Sequence, residues 1–103
     1  MNAATIILEQ QSNLERICEQ HHVARLTLFG SANRSDFNPN SDLDFLVEFK
    51  PLTPEEYAPN YFDFVTALEH LFTRPIDVIS GTINNPFVRQ SIERNQRIVY
   101  AAA

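Results

Sequence analysis

Between Leu26 and Phe49 the chain reads LTLFGSANRSDFNPNSDLDFLVEF, two apolar runs joined by a polar, turn-rich segment. The second run alternates, so it predicts a strand with Leu43, Phe45, Val47 and Phe49 on one face. Asp42, Asp44, Leu46 and Glu48 then fall on the other face. Asp42 and Asp44 point the same way, roughly 6.6 Å apart along the strand at about 3.3 Å per residue. Repulsion and desolvation make two carboxylates on one side of an apolar strand costly unless a cation sits between them. Hard oxygen donors at the mouth of a strand suit Mg²⁺, which takes one or two carboxylates together with substrate phosphates.

The 103 residues fit one domain, 1–103, and the 44% apolar content with eight Phe suffices for a real core. The formal net charge of −5 argues against a nucleic-acid-binding face, which is normally basic, and fits an acidic metal site or a basic protein partner. A single cysteine, Cys18, precludes an internal disulfide and points to a reducing compartment, the cytoplasm. No apolar run approaches the roughly 20 residues needed to span a bilayer, and MNAATIILEQ does not read as a signal peptide.

In chain order, the spacing of Ile7, Leu14, Ile17, Cys18 and His21 predicts one helix from about Ala3 to His22. Cys18 lies in its apolar stripe and reads as a core thiol. His21 and His22 lie at the helix end, where the dipole favours cations, and they lack partners at zinc-ligand spacing. Val23 to Phe29 is a strand. Gly30 and Ser31 follow, a turn able to offer backbone N–H groups to phosphate. The loop from Ala32 to Ser41 carries one cation, Arg34, which reads either as a solvated residue or as a partner for phosphate oxygens. Thr53, Pro54, Glu55 and Glu56 resemble a capping box with Pro at the first helical position. Pro59 predicts a break, with a separate helix from about Asn60 that buries Tyr61, Phe64, Val65, Leu68, Leu71 and Phe72. A third strand over Arg74–Ser80 puts Ile76 and Val78 on one face and Asp77 and Ile79 on the other. A last helix begins after Asn84-Asn85-Pro86 with Phe87, Val88 and Ile92 inward, and Ile98, Val99 and Tyr100 predict a closing strand or a docked tail.

Asp77 stands out, because a carboxylate is unfavourable inside a short β-branched run. If strands two and three are neighbours, Asp77 joins Asp42 and Asp44 on the open face. Glu48 shares that face but lies about 13 Å along the strand from Asp44, too far to share a metal, and reads as a solvated sheet residue. Two carboxylates from one strand and one from another, beside a phosphate loop, are what two-metal phosphoryl transfer requires.

Gly30-Ser31, ten intervening residues and then Asp42-Leu43-Asp44 resemble the signature of the DNA polymerase β-type nucleotidyltransferase superfamily, with Asp77 at its third-carboxylate position. The whole chain resembles the smallest branch, the minimal nucleotidyltransferase (MNT) proteins. The resemblance implies an α/β (α+β) domain, a small mixed sheet flanked by helices, using two Mg²⁺ ions and a nucleoside triphosphate, usually ATP. It implies phosphate contacts from Gly30 and Ser31, bridging metal ligation by Asp42 and Asp44, and ligation of the hydroxyl-side metal by Asp77. Arg34 matches a basic position of the family three residues after the motif serine; Ser35 departs from the usual Gly that follows.

Larger members add a second domain that holds the acceptor, for which 103 residues leave no room, so the acceptor is expected on another molecule. The resemblance implies an antitoxin that transfers AMP from ATP to a tyrosine of a HEPN-family ribonuclease toxin, and the acidic charge and the lack of a long apolar run predict no direct nucleic-acid or membrane contact. Two alternatives stay open: an antitoxin that acts by tight binding alone, and an oligomeric nucleotidyltransferase acting on a small molecule.

Overall fold

The structure, a computed structural model, describes residues 3–29, 43–80 and 97–102. Within these, seven elements follow one another: α1 (Ala3–Glu9), α2 (Gln11–Gln20), β1 (Val23–Phe29), β2 (Leu43–Phe49), α3 (Pro54–Phe72), β3 (Ile76–Ser80) and β4 (Arg97–Ala101). The strands form one sheet in the order β3-β2-β1-β4. β1 runs antiparallel to β2 and to β4, while β2 and β3 are parallel. The sheet is therefore mixed, as expected.

One face of the sheet carries the core. Leu26 and Leu28 of β1 stand opposite Val47 and Phe45 of β2, and all four are fully buried together with Leu43. Val78 of β3 and Val99 of β4 complete that layer. The described helices cover it with Ile6, Ile7, Leu14, Cys18, Phe64, Leu68 and Phe72. Phe45 stacks on Phe72 at 6.1 Å between ring centroids, and Phe49 meets Phe64 edge-on at 5.8 Å. Burial of the predicted stripes on α2 and α3 thus follows from helical period meeting strand period across one interface.

Two predicted helices differ. The expected single helix over Ala3–His22 is two helices that part at Gln10. Gln10 sits outside helical geometry at φ −112°, and its side-chain oxygen accepts from the Asn13 amide at 3.0 Å. The polar run Gln10-Gln11-Ser12-Asn13 puts no apolar side chain at the join, so each half is fixed by its own core residues. Conversely, α3 is a single helix that runs straight through Pro59. The carbonyl that Pro59 leaves without its donor belongs to Glu55, and both residues are exposed. Water can serve that carbonyl, so the break is avoided. The N-terminus of α3 is capped as read: the Thr53 hydroxyl accepts from the Glu56 backbone N–H at 3.3 Å, and Pro54 opens the helix. In place of the reciprocal backbone bond, the Thr53 hydroxyl also donates to the Glu56 carboxylate at 2.8 Å.

His21 caps α2, and its Nδ1 donates to the Ile17 carbonyl at 2.7 Å while the ring tilts against Phe64. It is a packing residue. Cys18 is fully buried, as predicted, and burial pushes its thiol up to about 12, with Glu15 and Glu19 adding to the effect. The predicted last helix after Asn84 lies outside the described residues.

Candidate active site

The opposite face of the sheet carries the two described carboxylates of the predicted set, Asp44 and Asp77. Alternation on β2 sends Asp44, Leu46 and Glu48 away from the buried Leu43, Phe45 and Val47. On β3 Asp77 and Ile79 are exposed while Val78 is buried, which matches the sequence reading of that strand. The parallel register sets Asp44 directly beside Asp77 and Leu46 beside Ile79. Neighbouring strands lie about 4.8 Å apart, so the two carboxylates leave the same face side by side.

Three rows cross this face. Asp77 and Asp44 form the first, at the end where β1 reaches Phe29, whose register position is opposite Asp44. Ile79, Leu46, Thr27 and Ile98 form the second, spanning all four strands. Glu48 and Arg25 form the third, joined by an ion pair between the Arg25 Nε and a Glu48 oxygen. Glu48, expected as a solvated sheet residue, is therefore paired. It is also separated from the acidic row by Leu46, in agreement with its exclusion from the metal set.

The join between β2 and β3 is built by α3. The Leu43 N–H donates to the Pro75 carbonyl at 3.2 Å, which fixes where β3 begins relative to β2. Thr73 ends α3 in the left-handed region at φ 51°, and the chain reverses there into β3. On the outer side of β3 the Tyr61 hydroxyl donates to the Val78 carbonyl at 2.7 Å, and the Tyr57 hydroxyl bonds the Ser80 hydroxyl. Partial burial raises the Tyr61 phenol above its ordinary range, with smaller pushes from the Asp77 carboxylate and from Tyr57. Tyr61 was legible only as a member of the apolar stripe on α3. Its four-residue spacing from Tyr57, on the helix just before β3, is the signal that could have marked the pair.

Of the residues predicted for the site, Asp44 and Asp77 are brought together. Asp42, Gly30, Ser31 and Arg34 lie outside the described residues, and among the described residues no three His, Cys, Asp or Glu side chains form a metal-sized cluster. What the described geometry offers is a pair of hard oxygen donors from two strands on the face of the sheet opposite the described core. That donor set fits a divalent cation such as Mg²⁺ and not a soft one.

Comparison with known proteins places the chain in a family. Residues 12–101 match the nucleotidyltransferase domain family. The provisionally named protein adenylyltransferase MJ0128 of Methanocaldococcus jannaschii is 36% identical over 78 residues, 75% of this chain and 76% of its own. A solved, provisionally assigned minimal nucleotidyltransferase superposes with a TM-score of 0.72 at 26% identity, covering 94% of this chain and 95% of that one. In a solved complex of a tri-AMPylated Shewanella oneidensis HEPN toxin with an MNT antitoxin, the matching chain gives a TM-score of 0.64 at 10% identity, over 93% of this chain and 73% of that one. At that identity the likeness is one of fold. The paired carboxylates lie within the matched span, and the chain belongs to the nucleotidyltransferase domain family as a minimal enzyme of polymerase β-like fold.

Proposed function

We propose that this protein is an antitoxin-type adenylyltransferase that moves AMP from ATP to a tyrosine of a HEPN-family toxin. The observation that carries the reading is the register of Asp44 with Asp77 on the face of the sheet opposite the described core. The protein-adenylyltransferase relative and the fold shared with an antitoxin bound to an AMPylated toxin support the acceptor class.

In this reading the tyrosine oxygen bonds to the α-phosphorus, the bond to the β-phosphate oxygen breaks, pyrophosphate leaves and the phenolic proton passes to solvent. Asp42 and Asp44 would be the shared ligands for Mg²⁺, and Asp77 would hold the ion on the side of the acceptor hydroxyl. Bound Mg²⁺ would supply charge neutralisation on the triphosphate and activation of the acceptor hydroxyl. Backbone N–H groups at Gly30 and Ser31 bind the phosphates, and Arg34 pairs with their oxygens. Asp77 is exposed on β3, which is an edge strand among the described residues, and would face an acceptor carried by another molecule.

The test is incubation with Mg²⁺, labelled ATP and the co-expressed partner, followed by mass spectrometry of partner peptides. AMP on a tyrosine is expected, and its loss in Asp42→Ala/Asp44→Ala. Absence of transfer by the native chain, or full transfer by the double variant, refutes the reading. A double variant that still neutralises the toxin would instead establish control by binding alone.

A further inference from the structure

Asp77 reaches the site on the least supported strand of the sheet. β3 has five residues, pairs on one side with β2 and is an edge strand among the described residues. Its carboxylate stands in register with that of Asp44, and like charges on neighbouring strands push apart. Among the described residues nothing hydrogen-bonds the Asp77 carboxylate itself. Two contacts oppose the push from the other side. The Tyr61 hydroxyl holds the carbonyl of Val78, the residue next to Asp77, and the Tyr57 hydroxyl holds Ser80 two residues further on. Tyr57 and Tyr61 are one turn apart on α3, and Tyr57 is itself braced edge-on against Phe49 of β2 at 5.6 Å. The helix that packs on β2 therefore also ties down β3.

We propose that Tyr61, assisted by Tyr57, is a positioning residue that keeps Asp77 abreast of Asp44 and so preforms the hydroxyl-side metal position. The inference rests on the proposed role of Asp77, and it extends that role to two phenols on α3 that bond β3 itself. A hydrogen bond to the backbone of the ligand-bearing strand fixes where that strand, and with it the root of the Asp77 side chain, sits beside β2. The partial burial of the Tyr61 phenol and its electrostatic coupling to Asp77 are consistent with this closeness.

The experiment compares the native protein with Tyr61→Phe, Tyr57→Phe and the double variant. Partners standing behind a metal ligand typically change affinity or activity by about 10–100-fold. Tyr61→Phe is expected near the lower end of that range, with kcat down roughly tenfold, half-maximal Mg²⁺ shifted upward, and KM for ATP nearly unchanged. Excess Mg²⁺ should restore much of the rate, and amide exchange across β3 should accelerate. A role in stability alone would lower Tm while leaving kcat and the Mg²⁺ dependence at native values, and that result overturns the proposal. Mn²⁺ titration in the presence of a non-hydrolysable ATP analogue reads the effect without turnover. If the native protein transfers nothing, weaker Mn²⁺ binding by Tyr61→Phe upholds the clasp while the reaction falls; equal binding discards the clasp.

Discussion

Replacing Asp77 with Asn should make the protein more stable and less able to respond to Mg²⁺. Asn keeps the shape of Asp and removes one of two charges that stand in register on adjacent parallel strands. Unit charges about 5 Å apart, near the interstrand spacing, repel by roughly 0.8 kcal/mol at the dielectric of water and about 3 kcal/mol at an effective dielectric of 20. Asp77 is exposed, which places the pair near the lower figure, so a gain of about 0.5–1 kcal/mol is expected. For a domain of this size that corresponds to a Tm higher by about 3–6 °C. Thermal melts followed by circular dichroism at low ionic strength would read it, and about 1 M NaCl should shrink the difference by screening. Mg²⁺ binds the folded state, and at ten times its Kd it would add about 1.4 kcal/mol to the native protein and much less to Asp77→Asn. A variant that melts below the native protein, or Mg²⁺ shifts of equal size in both, would refute the argument that the pair is a strained, cation-ready site.

Phe45→Ala, in the fully buried heart of the sheet, should cost about 3–5 kcal/mol in urea unfolding. Thr53→Ala removes the cap of α3 and should cost about 1 kcal/mol by the same assay. Pro59→Ala restores a donor inside α3 and should raise stability by about 1 kcal/mol, with no change in metal response. Cys18 should resist alkylation at neutral pH until the protein is unfolded, since its thiol is buried and pushed up to about 12. Because this pKa is raised in the folded state, the neutral thiol favours folding below the unfolded value of about 8.5. Stability should then decline as pH climbs from there toward 12, a trend visible in alkaline melts and reduced in Cys18→Ala.

Strand positions were legible because alternation is a strong signal: Leu43, Phe45 and Val47 against Asp44, Leu46 and Glu48 assigned both faces of β2 without reference to any other element. Asp77 was legible as an anomaly, a charge in a β-branched run. That β3 lies beside β2, and in which register, was not, since it depends on how α3 returns the chain. The helix boundaries failed where local rules compete with packing. Gln10 breaks a helix without Pro or Gly, and Pro59 does not break one, because anchoring on either side decided both cases. Tyr57 and Tyr61 were hidden because a phenol counts as apolar in a periodicity argument, and its hydroxyl bond to Val78 becomes apparent only once the strand is placed.

The two carboxylates are separated by thirty-two residues of chain, and the only route between them is α3 with the turns at its ends. Neither half of the molecule can therefore acquire the metal-ready pair early. A nascent or nicked chain that has formed β1 and β2 holds Asp44 without its counterpart, and the counterpart arrives only when the helix has docked and the parallel ladder has zipped, a non-local and hence slow event. Competence for nucleotidyl transfer would thus wait on that docking, so that a chain made only as far as β2, or one from which α3 has come away, has nothing with which to modify its neighbours.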